Sequence, residues 1–294
     1  MTFSCTIGEN EQNRRVDEVL RAVFGFSARQ IRLIKAQKGF FLDGKPVYAN
    51  EQTRLGQKLE AVCENGCDQG LVPQDGPFPV VYEDEDLMVL DKPAPLAVTP
   101  TPEKPLDTLA NYAAAYAQEE KFIFRPVNRL DKGTSGLMLA AKHALAQKKL
   151  METLHTDAFS RCYLAVAEGL LEQEAGSITL PIGKMEGDPV RRCVREDGKP
   201  CQTDFVVQGR FVQTNRTLVA LQLRTGRTHQ IRMHMAALGH PLVGDSLYGT
   251  ASAELEGRFA LHSAELCFDH PFTGKRMEFT SPMPQALQNL LENS

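Results

Sequence analysis

The segment RPVNRLDKGTSGLMLAAK, residues 125–142, contains one carboxylate, Asp131, which lies between two basic residues and a glycine-rich turn. Aspartate beside glycine commonly stabilises a turn, because its side chain accepts hydrogen bonds from nearby backbone N–H groups. An ionised carboxylate at the start of a strand can instead act as a nucleophile or as a general base. The segment by itself is compatible with both roles.

A second segment, LRTGRTHQIRMHMAALGHPLVGD, residues 223–245, predicts a short amphipathic helix. Thr228 is the expected N-cap, because threonine side chains accept hydrogen bonds from the first free N–H groups of a helix. Ile231 and Met235 belong to a stripe of buried residues, and the helix is expected to end at Gly239.

Three basic side chains, Arg227, His229 and Arg232, crowd the first turn of this predicted helix. A helix N-terminus already carries about half a positive charge, so an anion is expected beside it. An RNA phosphate or a carboxylate such as Asp131 would satisfy this requirement. His229 and His234 do not form the HExxH arrangement of zinc enzymes, so no metal is expected here.

Charge is unevenly distributed along the chain, although the net charge is only −4. Residues 1–62 hold 10 lysines and arginines against 7 acidic residues, residues 63–120 hold 2 against 12, and residues 121–240 hold 18 against 11. Two basic blocks separated by an acidic block are typical of a localised phosphate-binding surface, since local potential governs binding more than net charge does. Ordinary solvated faces are the alternative interpretation.

Composition indicates a folded protein of the cytoplasm. The 294 residues are 42% hydrophobic and 24% charged, which is ordinary for a globular protein. No stretch approaches the ~18 apolar residues of a membrane span, and the N-terminus lacks the apolar core of a signal peptide. Seven scattered cysteines fit a reducing compartment. No membrane partner is therefore expected, and a monomer is favoured, although the sequence leaves the oligomeric state open.

The first 70 residues are expected to form a small separate unit and the start of a linker. RRVDEVLRAVFG and ARQIRLIKAQKG each have helical periodicity, and FFLDGKPVYA contains the Asp-Gly signal of a tight hairpin. Arg29, Arg32 and Lys35 recur every three residues and give the second helix a cationic flank. This pattern resembles the S4 RNA-binding domain, which implies that the three side chains contact RNA. A charged helix face on an unrelated small module is the alternative.

Residues 71–294 predict a second unit of the α+β class, with a mixed or antiparallel sheet. The segment CENGCDQGLVPQDGPFP, residues 63–79, has no periodicity and is interpreted as the linker. Short predicted strands such as VVYED, LMVLDK and CYLAVAEG follow it, together with helices near residues 106–116 and 145–154. The spacing is not that of regular βαβ units, which favours the α+β class over a parallel sheet.

Three motifs in this unit together resemble those of the RluA-type pseudouridine synthases: NRLDKGTSGLMLAAK, RCYLAVAEG and LRTGRTHQIRMHMAALGHPLVGD. The segment VVYEDEDLMVLDKPAPLAVTP is similar to the first strands of that family, and LHSAELCFDHPFTGKRMEF is similar to its last strands. The resemblance covers residues 78–294. It implies a pseudouridine synthase catalytic domain, preceded here by the S4-like unit.

The resemblance implies three catalytic residues. Asp131 corresponds to the catalytic aspartate, Tyr163 to the tyrosine that stacks on the base, and Arg232 to the arginine that pairs with the aspartate. Strand alternation puts Cys162 and Leu164 on one face and Tyr163 on the other. We therefore expect Tyr163 to leave the core and face the site.

The resemblance also implies residues that contact the RNA. Arg129, next to the aspartate, is expected to enter the space that a flipped uridine vacates. Arg227 and His229 are expected to bind the RNA beside the site. Arg191 and Arg192, in the loop GKMEGDPVRRCVREDGK, either follow phosphates or belong to a solvated hairpin, and both interpretations remain open.

The implied reaction is the isomerisation of uridine to pseudouridine in structured RNA, with ribosomal RNA favoured and transfer RNA as the alternative. The bond between uracil N1 and ribose C1′ breaks, the base turns, and C5 rejoins C1′, without a cofactor or a metal. Asp131 would act as a nucleophile or as a base at C2′, and both remain open. Asn128 stands where the family usually has a histidine, so an amide replaces the imidazole there.

Two other functions fit part of the pattern. A non-catalytic RNA-binding or ribosome assembly factor would keep the fold without turnover, but the complete set of Asp131, Tyr163 and Arg232 argues against it. A carboxylate-based hydrolase of nucleosides or sugars generally needs a second acid opposite the first, and the basic motifs offer none.

Overall fold

The computed structural model describes most of the chain. The described residues are 2–26, 28–62, 71–120, 122–154 and 156–292. Ser27 and residues 63–70, the first part of the predicted linker, lie outside them. Within the described ranges, none of the helices has the length and apolar character needed to cross a bilayer.

The N-terminal residues form two helices and a four-stranded antiparallel sheet. The elements are β1 (Thr2–Thr6), α1 (Val16–Phe24), α2 (Ala28–Ala36), β2 (Phe40–Leu42), β3 (Lys45–Pro46) and β4 (Lys58–Val62). The strand order is β1-β4-β2-β3. Val16, Val19 and Leu20 on α1 have no exposed surface, which confirms the helical periodicity of the segment RRVDEVLRAVFG.

The end of α2 and the hairpin after it are both explained by the local backbone. Helix α2 ends at Ala36, three residues before Gly39, which is the last residue of the predicted helical segment ARQIRLIKAQKG. The Gly39 carbonyl accepts a hydrogen bond from Val62 N at 2.7 Å, and a Cβ at position 39 would overlap the Val62 carbonyl oxygen. The predicted hairpin at Asp43 and Gly44 is confirmed, and both residues have the positive φ that two-residue hairpin turns require.

The remaining residues form a larger unit around one extensive sheet. Its strands are β5 (Val80–Glu83), β6 (Leu87–Lys92), β7 (Arg125–Pro126), β8 (Ser135–Ala141), β9 (Phe159–Glu168), β10 (Ala175–Ile178), β11 (Ile182–Lys184), β12 (Arg192–Val194), β13 (Thr203–Phe211), β14 (Arg216–Leu223), β15 (Leu261–Asp269) and β16 (Arg276–Thr280). Its helices are α3 (Leu109–Glu120), α4 (Ala144–Thr153), α5 (Gln230–Ala237) and α6 (Gln285–Gln288), followed by a 3-10 turn (Asn289–Leu291).

The sheet runs in the order β10-β13-β14-β9-β15-β8-β6-β5, with β16 paired to β15 and β7 paired to β8. Its pairs are antiparallel except for β8 and β15, which run parallel. Strands β11 and β12 form a separate two-stranded ladder, called here the β11–β12 hairpin. The predicted α+β class with a mixed sheet is therefore confirmed.

The central strands are buried on both faces. In β6, Met88 and Leu90 pack into one hydrophobic cluster, while Leu87 and Val89 pack into another on the opposite face. All seven residues of β8 are buried, and the last five, residues 137–141, alternate between the same two clusters. Continuous apolar segments such as SGLMLAA therefore mark strands covered on both sides rather than half-exposed ones.

Helix α3 starts at Leu109, later than the predicted start near residue 106. Thr108 and Asn111 explain the shift, because Asn111 N–H donates to the Thr108 hydroxyl at 3.4 Å and Thr108 N–H donates to Asn111 Oδ1 at 3.2 Å. These reciprocal bonds satisfy free donors at the helix start, as a capping box does. Thr108 therefore caps the helix, which begins at the next residue.

The loop that contains Asp131 leads directly into the centre of the sheet. Strand β8 begins at Ser135, which lies opposite His262 of β15, and the next residue, Gly136, lies opposite Lys92 at the end of β6. Three strands therefore meet where this loop ends, and they hold it from both sides.

We expect Gly136→Ala to destabilise the fold by about 2–4 kcal/mol, as measured by urea unfolding. Gly136 has φ +105°, and a Cβ there would overlap the backbone carbonyl oxygen of Ser263. Gly44→Ala is the matched control, since Gly44 has φ +75° but no atom within 4 Å of an added Cβ. Equal losses in the two variants would contradict a steric role for Gly136.

Candidate active site

The side chain of Asp131 is 29% exposed. It lies on a cavity between the loop that precedes β8 and the start of α5. Arg129, Tyr163, Arg227, His229 and Arg232 line the same cavity. The structure therefore brings together residues that are up to about a hundred positions apart in the sequence. The predicted catalytic residues and three of the predicted RNA contacts share one site.

The backbone of the Asp131 loop is held by a buried lysine. Lys92 has no exposed surface, and its ammonium donates to the carbonyl oxygens of Pro93 at 2.9 Å, Leu96 at 2.8 Å and Lys132 at 3.4 Å. The last of these carbonyls belongs to the residue after Asp131. Lys92 therefore connects the end of β6 to the loop that contains Asp131.

Burial lowers the pKa of Lys92 to about 7, with a further decrease from the nearby charge of Arg258 and an opposing increase from Asp131. Sequence reasoning missed this residue. In the sequence, Lys92 follows Asp91 at the end of the apolar run LMVL, and the segment LDKPAP has the composition of an ordinary surface turn. A buried lysine needs carbonyl or carboxylate partners, because an unpaired buried charge is costly.

Arg232 is the most constrained charged residue of the site. Its Nε and Nη2 donate to the two carboxylate oxygens of Asp245, each at 2.7 Å, while its Nη1 lies 3.4 Å from Asp131 Oδ2. The side chain of Asp245 has no exposed surface. The rings of Phe259 and Tyr248 lie 4.1 Å and 5.1 Å from the guanidinium carbon.

The resemblance implied one ion pair for Arg232, and the structure places it closer to Asp245 than to Asp131. Burial acts to lower the pKa of Arg232, but the hydrogen bonds and charge of Asp245, together with the charge of Asp131, raise it overall. A bidentate carboxylate fixes the plane of a guanidinium. Asp245 thereby fixes the direction in which Nη1 points, towards Asp131. Sequence reasoning missed this role, although Asp245 ends the quoted motif.

Tyr163 lines the cavity but does not leave the core. It is 4% exposed and belongs to the main hydrophobic cluster with Ala165, whereas Cys162 and Leu164 on the other face of β9 are only partly buried. The predicted alternation is confirmed, but the expectation that Tyr163 leaves the core was wrong. The cavity borders the core at this point, so the Tyr163 side chain both packs in the core and lines the cavity. Burial raises the pKa of Tyr163.

The N-cap of α5 is His229, so the prediction of Thr228 was wrong. The turn before the helix is held instead by Gln230, whose Oε1 accepts from Arg227 N–H and from the Thr225 hydroxyl, each at 2.9 Å. A side chain that points back from the first helical residue thus replaces the expected threonine cap. His229 adopts the left-handed conformation, with φ +57°.

The predicted RNA-contacting residues fall into different places. Arg129 is exposed at the mouth of the cavity. Arg227 borders both this cavity and a wider cleft beneath the β11–β12 hairpin, which Arg192 also lines. Arg191 lies outside that cleft, with its Nε 3.7 Å from a carboxylate oxygen of Asp188.

Other predicted residues do not reach the site. Arg32 and Lys35 are exposed on α2 in the N-terminal unit, and the side chain of Arg29 lies outside the described part of the chain. Asn128 is 4% exposed, and its Oδ1 accepts a hydrogen bond from Leu139 N at 2.8 Å. The amide therefore ties the loop to β8 and faces away from solvent.

One group of side chains in the described residues has the composition of a metal site: Asp84, Asp86 and His270. His270 Nδ1 accepts hydrogen bonds from the backbone N–H groups of Phe272 and Thr273, so its proton lies on Nε2. That Nε2–H donates to Asp84 at 3.1 Å. The hydrogen bonds favour a structural network over a metal site. This network lies at the end of β6 opposite to Lys92.

Replacement of Lys92 by methionine is expected to change how stability depends on pH. The folded chain releases the Lys92 proton near pH 7, whereas the unfolded chain keeps it up to its ordinary value of 10.5. The unfolded state binds more protons between these values, so this lysine makes wild-type stability rise with pH, by at most about 1.4 kcal/mol per pH unit. Lys92→Met removes that contribution.

Urea unfolding at about pH 7.5 and about pH 9.5 measures the effect. The free energy of unfolding of wild type is expected to increase relative to that of Lys92→Met as the pH rises, and Lys45→Met, at an exposed position, provides the control. A difference that stays constant would contradict the burial of a neutral lysine.

Comparison with known proteins agrees with this geometry. A family model described as RNA pseudouridylate synthase matches residues 86–237. The chain is 35% identical to the uncharacterized RNA pseudouridine synthase YlyB of Bacillus subtilis, over 98% of this chain and 96% of that protein. It is 34% identical to ribosomal large subunit pseudouridine synthase D of Escherichia coli K12, over 99% of this chain and 93% of that protein.

Among solved structures, human RNA pseudouridylate synthase domain containing 1 is similar, with a TM-score of 0.58 and 26% identity. That similarity covers 74% of this chain and 90% of the human one. Sequence and fold agree, which confirms the resemblance that the three motifs indicated. The chain belongs to the RNA pseudouridylate synthase family and is a pseudouridine synthase.

Proposed function

We propose that this enzyme converts uridines of ribosomal RNA to pseudouridine, with Asp131 as the catalytic group. The observation that supports the proposal most directly is the position of the Asp131 carboxylate, on a cavity and 3.4 Å from Arg232 Nη1. Ribosomal RNA is favoured over transfer RNA because relatives named ribosomal large subunit pseudouridine synthase D match 97–99% of this chain.

Asp131 acts on the sugar of the target nucleotide, either as a nucleophile or as the base at C2′. The N1–C1′ bond breaks with its electron pair on N1, and C5 of the turned base bonds to C1′. One proton is lost from C5 and one is taken up at N1, so the product is an isomer of uridine. Arg232 faces the carboxylate with a positive charge and orients it. These residues carry out the reaction without a cofactor or a metal.

The remaining cavity residues place the RNA. A uridine in folded RNA must be unstacked before a carboxylate can reach its sugar. Tyr163 offers one ring face to the flipped base, and exposed Arg129 enters the space that the base leaves. Arg227 and His229, at the start of α5, contact the RNA next to the target.

The N-terminal unit gives a second RNA contact in this proposal. Residues 1–70 act as an S4-like domain, with the flank of Arg29, Arg32 and Lys35 towards the RNA, and residues 71–294 form the catalytic domain. The two helices, the hairpin and the exposed cations of α2 support this division. The cytoplasm is the proposed location, because the bacterial relatives are named for the large ribosomal subunit and bacterial ribosomes lie in the cytoplasm.

Replacement of Asp131 by asparagine tests the catalytic role. Asparagine keeps the size and the turn-forming ability of the side chain but removes its charge. We expect pseudouridine formation to fall by at least about 10³-fold under single-turnover conditions, while melting temperature and RNA affinity stay near wild type. The substrate is ribosomal RNA from cells of the source organism that lack this protein. A folded variant with near-normal pseudouridine formation would show that Asp131 only stabilises its turn.

Replacement of Arg32 and Lys35 together by glutamine tests the S4-like contact. The logarithm of the RNA association constant falls with the logarithm of salt concentration, by about one for each phosphate contact. The double variant is therefore expected to lower this slope by about two, with the turnover of bound RNA unchanged.

Arg21→Gln on α1 is the control, since the Arg21 guanidinium lies 3.7 Å from Asp17 and already has an anionic partner. An unchanged slope in the double variant, or an equal loss in Arg21→Gln, would place the RNA on another surface.

A further inference from the structure

A chain of hydrogen bonds connects the β11–β12 hairpin to the active-site cavity. The Tyr248 hydroxyl lies 2.8 Å from the backbone N of Arg192, which begins β12, and 2.9 Å from Nδ1 of His229. The Tyr248 ring also lies 5.1 Å from the guanidinium carbon of Arg232. One tyrosine thus contacts the hairpin, the N-cap of α5 and the arginine that faces Asp131.

The direction of these hydrogen bonds follows from their chemistry. A backbone N–H can only donate, so the Tyr248 oxygen accepts from Arg192. The single Tyr248 proton is then free to donate to His229 Nδ1. When Tyr248 donates in this direction, Nδ1 carries no proton and the proton of the neutral imidazole lies on Nε2.

His229 has little freedom to turn away from this arrangement. Its backbone is in the left-handed region, which is unfavourable for residues with a Cβ and is concentrated at functional sites. Its imidazole lines the cavity that contains Asp131 and Arg227. Among the described residues, no group accepts a hydrogen bond from Nε2.

Burial favours the neutral form of this imidazole. Burial lowers the pKa of His229, and the positive charges of Arg232 and Arg192 lower it further. The negative charges of Asp131 and Asp245 act in the opposite direction but do not reverse the shift. His229 therefore offers one fixed N–H donor, and only the tautomer selected by Tyr248 places that donor on Nε2.

We propose that Tyr248 is a positioning residue that fixes His229 as the Nε2–H tautomer, and that His229 donates this hydrogen bond to a phosphate oxygen beside the target uridine. A phosphate is favoured over a uracil carbonyl because Arg227 lines the same cavity and α5 begins there, so the local field favours an anion. The inference rests on the proposed function, since it takes RNA as the ligand of this cavity.

The test is Tyr248→Phe, which removes the hydroxyl and keeps the ring beside Arg232. Without the hydroxyl, the imidazole can exchange between tautomers or turn, and the phosphate loses its donor for part of the time. We expect KM for ribosomal RNA to rise about 10-fold, with kcat within about threefold of wild type. A phosphate contact that is equally strong in the bound ground state and in the transition state affects KM but not kcat. Unchanged KM and kcat would overturn the proposal. A fall in kcat at constant KM would assign the donor to the uracil instead.

A pH series separates this role from a purely structural one. Protonated imidazole donates from both nitrogens, so the tautomer no longer matters once His229 is charged. Loss of the hydrogen bond into Nδ1 also removes a stabilisation of the neutral form. Because burial lowers the pKa of His229, the ratio of KM between Tyr248→Phe and wild type is expected to fall towards one only as the pH is lowered from about 8 to below the ordinary histidine value of about 6.5. A ratio that is independent of pH would overturn the tautomer argument.

Two substitutions of His229 give a matched pair. His229→Gln can place an amide N–H near the position of Nε2, whereas His229→Asn can place it only near Nδ1. We expect KM to stay within about threefold of wild type in His229→Gln and to rise about 10-fold in His229→Asn. Adding Tyr248→Phe to His229→Gln is expected to cause no further loss, and additive losses would contradict the coupling.

Tyr82→Phe is the control for loss of a tyrosine hydroxyl, since Tyr82 donates to Asp84 at the far end of β6. It is expected to leave KM, kcat and their pH dependence unchanged. Wild-type turnover reports on the proposed function, whereas the variant ratios report on Tyr248. Absence of wild-type turnover and absence of a variant effect are therefore distinct results.

Discussion

The site depends on the buried ion pair between Arg232 and Asp245. Two charges removed from water are stable only when each is fully hydrogen-bonded, and the two bonds of 2.7 Å satisfy this condition. The pair uses Nε and Nη2 of the guanidinium and leaves Nη1 for Asp131. It also joins α5 to the loop that follows it, because Asp245 Oδ1 accepts from the backbone N–H groups of Leu247 and Tyr248.

Periodicity and turn signals predicted most of the local structure. The face of α1, the Asp43-Gly44 hairpin, the strand segments and the α+β class were all readable, because they depend on neighbours within a few positions. Family resemblance, and not periodicity, brought Asp131 and Arg232 together. Where local signals failed, a distant or backward-pointing side chain had replaced the expected partner, as Gln230 did for Thr228.

The parts of the site that could not be predicted are buried polar groups. Lys92 and Asp245 appear in the sequence as a lysine after an aspartate and an aspartate after a glycine, which are ordinary surface patterns. Their burial becomes reasonable only when the partners are known, at positions 132 and 232. The inward position of Tyr163 has the same origin, since alternation gives two faces but does not say which one borders the cavity.

The position of β15 in the sheet has a consequence for how the protein is made. Residues 261–269 form a strand between β8 and β9, which end about 120 and about 90 positions earlier in the chain. Until a ribosome has synthesised this strand, β8 and β9 each lack a neighbour and expose an unpaired edge. The final pairing closes a long loop, which is slow. We therefore expect the nascent chain to acquire its RNA-modifying capacity late in synthesis, with its open strand edges as the natural binding sites for chaperones until then.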